Sequence, residues 1–293
     1  AENCHKATIP AELVGGCDPN PAMRQRATEV LGDYPWFETL DELLELGIDC
    51  AIVTSPDDTH EDITCALLEA GVAVYLEKPI AITIEGSDRV LETAYRTKTP
   101  LYVGHNMRHM AVVRILRQVV QDGLIGEVRA IWCRHFVGNG GDYYFKDWHA
   151  DRSRTTGLLL QKAAHDIDVM NWLSDSVPER VVGMGDLMLY GKLTDRSGQK
   201  SDAVMSDWFS FDNWPPASLT SLNPVIDVED VSMLMMRQAS GTLISYEQCH
   251  FTPDYWRNYT VIGTEGRAEN LGDGEGGVVR VWKHRSGWEP TGD

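Results

Sequence analysis

Two short apolar runs, DCAIVTS (49–55) and VAVYLE (72–77), are joined by the stretch DDTHEDITCALLEAG (57–71). The joining stretch reads as a helix, with acidic residues at its start and a glycine at its end. Strands that are continuous apolar runs with helical crossovers form a parallel sheet covered on both faces. No other feature of the chain constrains the fold as much. The pattern extends in both directions. AELVGGCD (11–18) reads as a strand before the helix PAMRQRATEVL, and a helix over 83–97 leads to the strand LYVGH (101–105). RHMAVVRILRQVVQDG (108–123) makes one more amphipathic helix.

The texture then changes. GEVRAIWCRHF (126–136) alternates as a strand with two distinct faces does. One helix is expected over 157–173, and after it the chain reads as strands and hairpins. VSMLMMRQASGTLISYEQCHF (231–251) turns at ASG, and YTVIGTEGRAENL (259–271) turns at TEG. The polar, proline-containing stretch 192–224 is expected to be a long loop or to hide missing residues. The expected fold is therefore α/β plus α+β. A Rossmann-like parallel-sheet domain (1–123) precedes a substrate-binding and oligomerisation domain with a mostly antiparallel open sheet (124–293).

Composition narrows the function. At 293 residues and 43% hydrophobic content, the chain can build one large core or two ordinary ones. A net charge of −18 without a basic run argues against nucleic acid as a partner. The six cysteines are scattered without metal-ligand spacing, so no metal is expected. Cys50 and Cys65, inside apolar patterns, are expected to pack as small hydrophobes, which favours a reducing compartment. No apolar run is long enough to span a bilayer and residues 1–20 lack a signal-peptide layout, so the expectation is a soluble, cytoplasmic protein without a membrane partner.

Chemistry concentrates in a few stretches. YLEKPI (75–80) ends an apolar strand with Glu77, Lys78 and Pro79. The proline biases Lys78 toward an extended backbone just past the carboxyl edge of a sheet, where ligands bind in open α/β folds. A surface salt bridge beside a turn is the plainer alternative. GGCDPNP (15–21) places Asp18 at a strand end, where an acid accepts hydrogen bonds from a dinucleotide's ribose; on these residues alone an Asp-Pro turn, a common strand terminator, is the plainer reading. In TSPDDTH (54–60), Thr54, Ser55 and Pro56 form a loop, Asp57, Asp58 and Thr59 open the helix, and His60 is either a cofactor contact or an ordinary surface residue. In TTGLLLQKAAHDIDVMNWL (155–173), Leu158, Lys162, His165, Val169 and Trp172 share one helical stripe, with Asp168 at the shoulder of His165. Ionisable side chains on so apolar a helix need partners or a water-filled cleft, and a core histidine held by a carbonyl is the alternative. DYYFKDWHADR (142–152) supplies Tyr143, Tyr144, Trp148, His149 and Arg152 as candidate walls for a carbohydrate-like ligand.

In this order the pieces resemble the Gfo/Idh/MocA family of NAD(P)-dependent oxidoreductases. AIVTSPDDTHEDITCALLEAGVAVYLEKPIA (51–81) is similar to the family signature through its Glu-Lys-Pro. LYVGHNMRH, GLIGEVRAI, the histidine helix, EDVSMLMMRQASGTLISYE and VIGTEGRAE resemble the following blocks. The resemblance implies NAD, or NADP, as cofactor and hydride transfer to it from a carbinol carbon of a sugar or polyol. It implies Lys78 and His165 as catalytic residues. Asp18, Thr54, Ser55, Pro56, His60, Glu77 and Lys78 would contact the cofactor. Lys162, Asp168, Tyr143, Trp148, His149 and Arg152 would contact the substrate. His165 would take the hydroxyl proton while Lys78 steadies the developing oxyanion.

Two departures stand out. The family's opening strand and G-x-G-x-x-G turn are not seen, which points to a truncated start or to weakened dinucleotide binding. The family's aspartate four residues before the histidine is here Gln161, which cannot take a proton. Two alternatives follow: a binding protein that holds NAD or a sugar without turnover, and an NAD-dependent glycosidase. The C-terminal strands carry apolar side chains on both faces, so a homodimer or homotetramer through that sheet is expected.

Overall fold

The apolar runs of the N-terminal third become parallel strands in the structure, a computed structural model that describes residues 11–285. These residues divide into two units, 11–104 with Lys200–Val204, and 105–199 with 205–285.

In the first unit, β1 (Gly16–Cys17) leads to α1 (Pro21–Leu31) and β2 (Trp36–Phe37). Asn20 caps α1 by accepting the Ala22 N–H at 3.0 Å, and Pro21 occupies the first turn, where its missing N–H costs nothing. After α2 (Leu40–Leu44) come β3 (Cys50–Val53), α3 (His60–Glu69), β4 (Ala73–Leu76), α4 (Ile84–Thr97) and β5 (Leu101–Val103). Strands β3, β4 and β5 pair in parallel in sequence order, and β1 pairs in parallel with β2 alone. Val53, Val74 and Leu76 meet Leu67 and Leu68 of α3 and Val90 of α4, and Leu40 and Leu44 of α2 pack against the same cluster.

This corrects the expectation of one sheet covered on both faces. Among the described residues the parallel sheet is in two pieces, and helices α3 and α4 pack together over the three-stranded piece. Its other face leaves Ile52 64% and Tyr102 52% exposed. Cys65 is buried as expected, but Cys50, at the first position of edge strand β3, is exposed.

The second unit begins with α5 (Ala111–Gln121) and β6 (Val128–Phe136), followed by short helices α6 (Gly140–Tyr144) and α7 (Arg152–Thr155) and the long α8 (Leu158–Ser174). Strands β7 (Pro178–Asp186), β8 (Val231–Gln238), β9 (Leu243–Cys249), β10 (Trp256–Gly263), β11 (Arg267–Leu271) and β12 (Val278–Trp282) complete it. Among the described residues they form a seven-stranded sheet in the order β12-β11-β10-β6-β9-β8-β7, antiparallel except where β6 pairs with β9. Both expected hairpin turns are present. Gly241 takes a φ of +85° in the first, a conformation that favours glycine. Helices α5 and α8 bury Val113, Leu116, Val169, Met170 and Leu173 against Ile131, Tyr246 and Val261 of the sheet.

The stretch 192–224 is built rather than featureless. It contains α9 (Met205–Trp208), a short helix where a long loop or missing residues were expected. Leu219 and Leu222 close a second core with Phe145, Leu158 and Tyr190, and the Phe145 and Tyr190 rings stack at 4.0 Å.

Candidate active site

The N-terminal candidates gather at the carboxyl ends of parallel strands. Asp18 follows β1, Thr54, Ser55 and Pro56 follow β3, and Glu77 and Lys78 follow β4. Asp18 accepts the Asn20 N–H at 2.8 Å, and Arg24 folds back to donate to the Asp18 carbonyl at 2.6 Å. The Thr59 hydroxyl donates to Ser55 Oγ at 2.7 Å and fixes the loop from within. His60 is not on the surface. It is 1% exposed, with Nδ1 at 2.7 Å from the Pro79 carbonyl and Nε2 at 2.9 Å from the Ser55 carbonyl. One imidazole thus ties the loop after β3 to the loop after β4, and neither ring nitrogen is left for a ligand. The half-buried Lys78 precedes a cis peptide to Pro79.

In the second unit α8 carries the candidates. Its N-terminus is capped from a distant strand end: Glu229 accepts the Leu159 N–H at 2.7 Å and pairs with Arg152 at 3.1 Å. Arg152 also donates to the Asp227 carbonyl through Nε and Nη2, so its guanidinium is spent on bracing this junction. Asp168 is likewise occupied: Arg108 grips both its oxygens, at 2.7 and 2.6 Å. That bidentate pair ties α8 to the turn before α5. His165 is 9% exposed on the same helix. Of the expected wall residues, Trp148 and His149 stack at 3.7 Å, His149 meets the Tyr144 ring edge-on at 5.2 Å, and Tyr143 packs tilted against Phe209 at 5.9 Å. Lys162 lies over the face of Tyr144, its amine 5.8 Å from the ring centroid.

The centre of the unit is a residue that sequence reasoning passed over. Asp166 is completely buried and faces the sheet. Its carboxylate meets His135 Nδ1 at 3.1 Å, the Tyr246 hydroxyl at 3.0 Å, the Tyr259 hydroxyl, and Arg257 Nε at 3.1 Å. Burial opposes its charge, but Arg257 and His135 outweigh this and hold the carboxyl well below the usual range. Arg257 also donates from Nη2 to His135 Nε2 at 3.1 Å. His135 is therefore neutral, donating through Nδ1 and accepting through Nε2, and burial lowers its pKa to about 4. The missed signal was strand alternation. Residues two apart on neighbouring strands put His135, Tyr246, Arg257 and Tyr259 on one inner face, opposite Asp166.

The N-terminal 1–105 match the sequence profile described as "Oxidoreductase family, NAD-binding Rossmann fold", and 113–269 match the GFO/IDH/MocA C-terminal domain. The chain belongs to the Gfo/Idh/MocA family. It is 26% identical over 299 residues to the Bacillus subtilis protein YteT, covering 88% of this chain and 70% of that one. It is 28% identical to an inositol 2-dehydrogenase of Rhizobium meliloti, over 67% of this chain and 57% of the relative. Its fold is similar to that of the WlbA dehydrogenase from Chromobacterium violaceum, solved with NADH and UDP-GlcNAcA. That likeness has a TM-score of 0.73 at 22% identity, covering 92% of this chain and 68% of the other.

NAD is the cofactor of this family's N-terminal domain. The donor set fits two of its parts: a carboxylate after β1 suits a ribose diol, and Lys78 after β4 suits a nicotinamide-proximal position. Among the described residues of the first unit there is no G-x-G-x-x-G turn for the pyrophosphate, and the GDGEGG run at 272–277 joins two antiparallel strands, β11 and β12, of the second unit.

Proposed function

We propose that this chain carries out NAD(P)-dependent oxidation and reduction of a sugar or polyol at a carbinol carbon, with Lys78 and His165 as its catalytic residues. The observation that carries the reading is the tethering of the Lys78–Pro79 segment. A lysine anchored by a buried histidine to the next strand-end loop is held in place at the ligand-binding edge of a parallel sheet. The cyclitol dehydrogenase among its relatives supports a polyol substrate.

When bound, the nicotinamide supplies the hydride acceptor or donor. Lys78 orients the substrate hydroxyl and stabilises negative charge as it develops on that oxygen. His165 accepts the hydroxyl proton on oxidation and returns it on reduction. Asp18 accepts hydrogen bonds from the adenosine ribose. Tyr144, Trp148 and His149 form an apolar wall against which the C–H face of a sugar ring packs.

The test is turnover of myo-inositol and a panel of aldoses with NAD. Lys78→Ala is expected to lower kcat by at least about 10²-fold, while the thermal melt stays within a few degrees because a half-exposed edge lysine contributes little to stability. Retained turnover would remove Lys78 from the mechanism. In crystals holding NAD and a polyol, the Lys78 amine and the His165 ring must both reach one hydroxyl, roughly 4–8 Å apart. Net accumulation of reduced cofactor separates this reading from a cofactor-recycling glycosidase, and any turnover separates it from a non-catalytic binder.

A further inference from the structure

Lys162 lies one helical turn before Asp166 and three residues before His165. The Asp166 carboxylate is taken by His135, Tyr246, Tyr259 and Arg257, which leaves nothing for the lysine one turn away. Among the described residues the Lys162 amine makes no hydrogen bond or ion pair, and its one close contact is the Tyr144 ring face. Lys146, on the adjoining segment, is the contrast. That amine is buried against Asp142 at 2.8 Å and donates to the Trp208 carbonyl, so its charge is fixed in place.

The surroundings of Lys162 disfavour a permanent charge. From the sheet come Arg257 of β10, His135 of β6 and, just past β9, His250. From α6 comes Tyr144, and from the segment after β11 comes Asp273. His250 is fully buried, without a hydrogen-bond partner at either ring nitrogen among the described residues, and burial keeps it neutral. Its ring meets Tyr144 edge-on at 5.1 Å and helps fix the face on which the lysine rests. The carboxylates of Asp166 and Asp273 attract the ammonium, but Arg257 stands between them and takes both. Burial, then Arg257, lower the Lys162 pKa to about 8.

We propose that Lys162 is a titrating proton carrier of the α8 site, taking up in its neutral form the proton that His165 receives from a substrate hydroxyl. This rests on the dehydrogenase reading and deepens it. As the carbinol is oxidised, its O–H bond breaks and an N–H bond forms on His165, which then gives up its proton as an N–H bond forms on Lys162. The C–H electron pair leaves as hydride to the nicotinamide, and the ammonium then returns its proton to water. The Gln161 amide beside it cannot do this, and the next residue along the helix can.

The decisive experiment needs no substrate. The full chain is acetylated with trace acetic anhydride across pH 6–11, and each lysine peptide is quantified by mass spectrometry. Lys162 is expected to reach half its maximal reactivity near pH 8, against about 10.4 for surface lysines. A Lys162 midpoint among the surface lysines overturns the proposal, whatever the protein turns over. The dehydrogenase reading fails separately, if no polyol reduces NAD at any pH while the labelling midpoint stays low. With a polyol that is turned over, log kcat/KM rises through a limb near pH 8 in the native chain, and Lys162→Met is expected to abolish that limb. Persistence of the limb in Lys162→Met also overturns the proposal. Lys162→Arg, which keeps the charge but cannot release it near this pH, is expected to lose the limb like the methionine variant.

Discussion

At the scale of single residues, Asp166 decides how the second unit holds together. Its charge is stable only because Arg257, His135 and two tyrosines surround it. Removing the charge leaves the Arg257 guanidinium buried with Asp273 alone. Asp166→Asn is therefore expected to destabilise the fold by about 3–5 kcal/mol, read from urea unfolding. Acid should act through the same cluster. His135 is held neutral, with its pKa lowered to about 4, so the unfolded chain takes up a proton that the folded one refuses. Its contribution is complete above the unfolded value of about 6.5 and is lost as pH falls from there toward 4, by on the order of 3 kcal/mol. The Asp166 carboxyl is depressed, so its contribution persists below pH 6.5 and is lost only as pH falls below about 3.9. A urea midpoint unchanged between pH 7 and 5 would mean that His135 takes up its proton in the fold as readily as in the unfolded chain. Residues differed in how readily the sequence disclosed them. Lys78 stood out because its strand, its proline and its charge are adjacent. His60 and Asp166 did not, because the Pro79 carbonyl and the Arg257 guanidinium that define their roles arrive only through tertiary packing.

At the scale of elements, what local chemistry determines was legible, and what neighbouring elements determine was not. The ASG and TEG hairpins and the α8 helix follow from turn residues and periodicity, and they lie where those signals put them. The division of the parallel sheet among the described residues and the exposure of Cys50 depend on which strand flanks β3, which no local pattern encodes. The β1–α1 junction carries a prediction of its own. Asp18 ends β1 with a carboxylate, which would repel a 2′-phosphate and be left desolvated beside it. Arg24 of α1 reaches back to the Asp18 carbonyl, but its other nitrogen is 3.7 Å from Glu38, so its charge is shared with an acid. NAD is thus expected to bind more tightly than NADP, by at least about tenfold or ~1.4 kcal/mol. Fluorescence titration with the two cofactors checks this, and tighter NADP binding would show that Arg24 outweighs Asp18. Glu38→Gln, which frees the arginine, should narrow the gap.

At the scale of the whole molecule, the seven-stranded sheet has one face packed and one open. Leu234 and Met236 point into the core, while Met233 and Met235 are more than half exposed, as the alternation of β8 requires. Met233 lies opposite Met184 and Met235 opposite Val182 on β7, and on the other side Met235 and Trp132 flank Ser245. Val182, Met184 and Trp132 are each more than half exposed as well. The exposed apolar side chains Val182, Met184, Met233, Met235 and Trp132 thus share one sheet face across β7, β8 and β6, the kind of exposed patch that marks an interaction surface. The apolar residues Leu219 and Leu222 of the 192–224 loop pack against Phe145 and Tyr190, in the second core. An exposed apolar sheet face is most simply buried by a second copy about a twofold axis. Light scattering at micromolar concentration is therefore expected to give at least twice the 32.8 kDa chain mass. Met235→Glu combined with Trp132→Glu should return the protein to a monomer without changing its thermal melt beyond a few degrees, because neither side chain contributes to the core. A wild-type monomer at that concentration would mean that the face is tolerated in water, and the sheet would then have no role in assembly.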